Sequence, residues 1–127
     1  MDDLGFELVA SSLRADAGDL RTFTEALATK LEGALPNQTT VQRKSEGLFS
    51  KTKRVQHISV DVGDQRYDLA VRGAGLECRR CKSVRGIVLK TEEVPLDEWI
   101  DDLSRQLADA AQQSEQARLA LQRLLGA

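Results

Sequence analysis

The chain has 127 residues, of which 41% are apolar and 30% charged, with a net charge of −2. That length suits one domain burying roughly two thirds of the surface its unfolded chain exposes, and the composition is too apolar for a wholly disordered protein. No apolar run approaches the roughly 20 residues that a membrane helix needs, and the opening "MDDLGFELVASSL" carries aspartates where a secretory signal has cations. The expectation is a single cytoplasmic domain over 1–127, with no integral membrane association and with its thiols reduced.

Taken in chain order, the first element expected is helical structure over 4–34. Leu8, Val9 and Leu13 supply the apolar positions of an upstream part, and Gly18 marks a kink or break. From Asp19, a candidate N-cap, "DLRTFTEALATKLEGAL" sets Leu20, Phe23, Leu27, Leu31 and Ala34 on one face, with Pro36 just beyond the end.

The period then changes to two. Thr39–Lys44 reads as a strand around Val41. "RVQHISVDV" sends Ile58, Val60 and Val62 to one side and His57, Ser59 and Asp61 to the other, and "RYDLAVR" alternates Tyr67, Leu69 and Val71 against Arg66, Asp68, Ala70 and Arg72. The short glycine-containing spacers "GDQ" and "GAG" are hairpin chemistry. Leu76–Lys82 and Val84–Lys90 read as one bent strand or two, which makes an antiparallel meander of four or five strands over 39–90.

A long helix is expected over 96–125. Pro95 stands at its start, and Asp97, Glu98, Asp101 and Asp102 crowd the turns where the helix dipole favours anions. Ile100, Leu103, Leu107, Ala110, Ser114, Ala117, Leu121 and Leu124 continue the stripe to the end. About 30 helical residues span about 45 Å, against about 26 Å for a strand of about eight. On that arithmetic the helix overhangs the sheet, and Leu121 and Leu124 need either the N-terminal helix or a second subunit to cover them. The order helix, meander, helix predicts an α+β domain with the helices on one face of the sheet.

Charge is segregated along the chain. The balance is −4 over residues 1–41, +7 over 42–90 and −5 over 91–127. The basic middle admits a nucleic-acid partner, with Lys51, Lys53, Arg54, Arg79, Arg80, Lys82 and Arg85 as the contacting cations. It equally admits a basic sheet neutralised by its own acidic helices. Only Phe49 and Tyr67 are available there as stacking platforms, which weighs against single-strand binding.

The most chemical stretch is "GLECRRCKSVRG". On a regular strand Cys78 and Cys81 point to opposite faces, and a structural zinc site wants four ligands where this chain offers one cysteine pair and one histidine. A redox pair needs a helix after the second cysteine. The expectation is therefore two strand cysteines with one packed inward, and neither a metal nor a cofactor. His57 with Ser59 and Asp61 or Asp68 outlines a triad only on paper. "RGAG" lacks the spacing of a phosphate loop.

No catalytic anchor emerges, so the function expected is a non-enzymatic interaction module, adaptor or chaperone-like. It self-associates as a dimer through the long C-terminal helix, at Leu121 and Leu124, and presents a protein partner with Arg66 and Arg72 on the polar sheet face or with Leu48 and Phe49 in the loop "SEGLFSKTKR". The layout of a small acidic protein with helices flanking a sheet is similar to that of the dimeric chaperones of bacterial secretion systems. The likeness covers layout and no motif, and the helix those chaperones insert between strands has no counterpart here.

Overall fold

The structure, a computed structural model, describes residues 20–45, 47, 52–73 and 75–126. The expected upstream helical part, the Asp19 cap and the loop residues Leu48, Phe49 and Lys51 lie outside the described residues.

Helix α1 spans Leu20–Ala34, and Phe23, Leu27, Leu31 and Ala34 are all buried, as their three- and four-residue spacing predicts. Leu20, at the start, stays more than a third exposed. Pro36 cannot donate to the next helical carbonyl, so the helix closes there. Leu35 N donates to Leu31 O at 2.7 Å and Thr39 Oγ1 donates to the same carbonyl at 3.3 Å, which ties the helix end to the first strand.

Five strands follow: β1 Thr39–Ser45, β2 Lys53–Val62, β3 Gln65–Arg72, β4 Gly75–Val84 and β5 Ile87–Glu93. They form one antiparallel meander in the order β1-β2-β3-β4-β5. The stretch that sequence left open between one bent strand and two is two strands. Val84 pairs with Ile87, and between them Arg85 and Gly86 adopt φ of 53° and 82°, the two positive values of a tight hairpin turn whose twist matches that of its strands.

Alternation sorts the sheet into two faces. Val55, Ile58, Val60, Val62, Tyr67, Leu69 and Cys78 join the core beneath the helices. Helix α2, Leu96–Gln113, begins after Pro95, whose carbonyl accepts from Trp99 N at 2.9 Å. It buries Trp99, Ile100, Leu103 and Leu107 against the sheet. The domain is α+β, as expected.

The single long helix over 96–125 is corrected. Ser114 is extended, at φ −147° and ψ 132°, and separates α2 from helix α3, Glu115–Gly126. Serine is a good N-cap: its Oγ accepts from Ala117 N at 3.3 Å, which gives a helix-terminal donor a partner that an unbroken helix would not need. The break lets α3 pack against both α2 and α1. Leu124 is 2% exposed and belongs to the chain's own core, with Leu121 packed against that core. Of the two covers expected for the overhang, the N-terminal helix or a second subunit, the chain's own helix is the one the structure shows, so Leu124 is a core residue and Leu121 packs against that core where a partner surface was expected.

Candidate protein-docking edge

Cross-strand register fixes the face away from the helices. One row runs through Thr40, Ser59, Asp68, Arg79 and Glu93, and its neighbour through Asp61, Arg66, Cys81 and Thr91. Opposite charges stand next to each other in both, the arrangement that stabilises a sheet surface. Arg66 Nε donates to Asp61 Oδ1 at 2.9 Å, Arg79 pairs with Glu77 at 2.7 Å, Arg72 with Glu77 at 3.7 Å, and His57 Nε2 lies 3.7 Å from Asp68 Oδ1. Arg66 and Arg72, expected to face a partner, are here, and each is engaged by a carboxylate of its own sheet.

The helix-facing side holds a different cluster. Tyr67, fully buried, donates its hydroxyl to Asp102 Oδ2 at 2.9 Å, and Arg80 Nη1 lies 3.3 Å from the same oxygen. Arg80 also reaches Glu92 at 3.2 Å and Glu98 at 3.8 Å. Burial, reinforced by the Asp102 carboxylate, holds the Tyr67 hydroxyl far above its ordinary range, so this phenol is a fixed donor. Trp99 meets Tyr67 edge-on, with centroids 6.2 Å apart, and donates Nε1 to Arg79 O at 3.2 Å.

Of the seven cations expected to meet nucleic acid, the six that lie among the described residues do not share one face. Arg79 and Arg80 point to opposite sides of β4 and are bound by different acids, whereas Lys53, Lys82 and Arg85 are exposed. Arg54 is half-buried beneath the N-terminal turn of α1, in a cleft of about 780 Å³ that it shares with Leu20, Thr24 and Leu76. Elsewhere a basic strand residue meets a helix carboxylate: Arg43 donates both Nη1 and Nη2 to Glu32, at 3.0 and 2.6 Å.

Cys78 and Cys81 are free, and both are buried. Cys78 lies in the helix-facing core, where burial first, then Glu77 and Glu93, push its thiol up to about 11. Cys81 lies on the other face, so the two diverge as strand alternation requires, although burial of both was not expected. Its Sγ is 3.7 Å from Asp68 Oδ2 and 3.6 Å from Thr91 Oγ1. Asp68 thus stands between His57 and Cys81. Cys81 touches a carboxylate where an activated nucleophile would touch an imidazole. Among the described residues no group of three or more His, Cys, Asp or Glu is placed to hold a metal ion.

What the sequence reading missed is the far edge of the sheet. β5 is an edge strand, its outer backbone unpaired within the meander. The hairpin that carries it exposes four large apolar side chains together: Ile87 at 65%, Leu89 at 62%, and Val84 and Val88 at 42% each. The register slips between Lys82 and Ser83, where Lys82 faces Lys90 and Ser83 faces Val88, so Leu89 is the extra residue of a bulge. Lys82, Arg85 and Lys90 flank the apolar run, and residues 78–91 contain no acid. The other edge, β1, exposes Gln42, Arg43, Lys44 and Ser45 in place of an apolar run, and the register slip beside it leaves Gln56 of β2 as the extra residue.

No protein-family model, curated protein or solved structure matches the chain.

Proposed function

We propose that this chain is a non-enzymatic protein-interaction module, adaptor or chaperone-like, that takes its partner along the β4–β5 hairpin edge. The observation that carries the reading is the exposed run Ile87-Val88-Leu89 on an edge strand with free backbone groups. Three consecutive exposed apolar residues cost solubility and invite strand pairing unless something covers them. The remaining surface supports the same reading from the other direction. The polar face of the sheet is a lattice of internal ion pairs, and the buried Tyr67 and the half-buried Asp102 and Arg80 satisfy one another. Four of the seven exposed large apolar side chains among the described residues lie on the hairpin, where contact with a partner would remove them from water. A reducing cytoplasmic setting suits two unbridged thiols. No helix among the described residues is long and apolar enough to cross a membrane.

The test is site-specific photo-cross-linking in cells that make the protein naturally. A cross-linking residue at Leu89 captures one dominant protein, and the same residue at Leu119, exposed on α3 far along the chain from the hairpin, does not. Equal capture at both positions, or none at Leu89, contradicts the proposal.

A further inference from the structure

Resting on that docking reading, we infer that the partner presents an extended segment of alternating apolar and acidic residues, which adds to β5 as a sixth antiparallel strand. The geometry at the edge sets the mode. An edge strand offers a row of backbone donors and acceptors that only another strand satisfies continuously, while side chains on alternate positions supply selectivity.

Charge selects the occupant. Lys82 and Lys90 stand directly opposite each other on neighbouring strands, an unfavourable pair of like charges. The next position outward in that row belongs to the added strand, where a carboxylate would stand beside Lys90. Arg85, exposed at the hairpin tip, extends the positive strip. Among the described residues no ion pair engages Lys82 or Arg85, and Lys90 meets only the half-buried Glu92, at 3.3 Å, which Arg80 already holds.

A second copy of the chain is the competing occupant, because an antiparallel β5 pair centred on Thr91 would set Lys90 of each copy opposite Glu92 of the other. Sedimentation of the chain alone therefore accompanies the titration, and a dimer formed through β5 overturns the inference. An anionic lipid surface fits less well than a strand. The exposed residues run along the strand edge instead of forming an aromatic-tipped loop.

The experiment titrates the full chain against fluorescein-labelled synthetic peptides of alternating valine and glutamate, and of alternating valine and lysine, with phosphatidylserine vesicles as a separate arm. The acidic peptide binds more tightly than the basic one by at least about tenfold, the effect of two or three exposed ion pairs. Amide exchange slows in β5 and not in β1 when it binds. Lys90→Glu, at a side chain 70% exposed where folding tolerates the change, narrows or reverses the preference, and Leu89→Asp weakens both peptides. Equal affinity for the two peptides, protection of β1, or vesicle binding without peptide binding overturns the inference. If neither peptide binds while cross-linking from Leu89 still captures a protein, the docking edge stands and the acidic strand is wrong. If capture from Leu89 fails as well, the docking reading itself falls.

Discussion

Tyr67 and Asp102 meet at 2.9 Å across the interface between sheet and helix, and the oxygen that accepts the phenol also faces the Arg80 guanidinium at 3.3 Å. One carboxylate thereby satisfies a fully buried hydroxyl and a half-buried cation, and fixes how α2 sits on β3 and β4. Tyr67→Phe removes a hydrogen bond and leaves Asp102 its arginine, at a cost of about 1 kcal/mol. Asp102→Ala strands the buried hydroxyl and loosens Arg80 together, at about 2–3 kcal/mol. Chemical denaturation of the double variant shows a loss smaller than the two single losses combined, because the first change already breaks the contact. Full additivity would mean that the node is not coupled.

Arg85 sits at φ 53°, in the left-handed region that costs a residue with a Cβ roughly 1–2 kcal/mol. Asparagine before glycine is the preferred pair for this turn. Arg85→Asn raises stability by about 1 kcal/mol, read from the denaturation midpoint at unchanged slope. A loss would show that the arginine side chain makes a stabilising contact. The retained arginine is intelligible if its charge serves the hairpin edge.

Leu124→Ala costs about 2–5 kcal/mol and leaves the oligomeric state unchanged, because its contacts are within the chain. Leu119→Ala, at an exposed site on the same helix, stays within about 0.5 kcal/mol. Ser114→Ala removes the N-cap of α3 and costs about 1 kcal/mol. Sedimentation and thermal melting of the three variants check the set. Dissociation of a dimer by Leu124→Ala would restore the self-association that the sequence suggested.

These elements show what was legible in advance and why the rest was not. Alternation in "RVQHISVDV" and "RYDLAVR" assigned inner and outer residues correctly, since a strand's period is a local property. Ser114 fell on the apolar stripe as a small residue, and only the space beside α1, a tertiary feature, makes its capping role visible. Trp99 and Tyr67 were not linked, because their meeting depends on how α2 crosses the sheet. The same holds for charge: Arg79 and Arg80 look alike in sequence, yet the face each occupies decides which acid binds it. Which strand becomes an edge is likewise a matter of topology. Three successive apolar residues after Arg85-Gly86 are the hint that the sequence carries, and without the strand order they are indistinguishable from an ordinary buried strand.

The thiols give a pH-dependent expectation. The Cys78 thiol is raised from 9.0 to about 11, and Tyr67 lies above its ordinary 10.0. Below pH 9 both groups keep their protons in the folded and unfolded chain alike and add no pH dependence. Above it the unfolded chain releases protons that the fold retains, so stability falls as pH rises. Cys78→Ala flattens that decline between pH 9 and 11, and a slope equal to that of the unmodified protein would contradict the burial argument. At pH 8 a thiol reagent labels neither buried cysteine on the timescale of its reaction with the denatured chain.

The most direct measurement is quantitative affinity purification from native cells with the unmodified chain and with Ile87→Asp/Leu89→Asp, alongside the melting temperature of each. The account predicts that the double variant melts within a few degrees of the parent, both side chains being more than 60% exposed, and loses the co-purifying partner. Retention of the same partner at the same stoichiometry would contradict the docking edge.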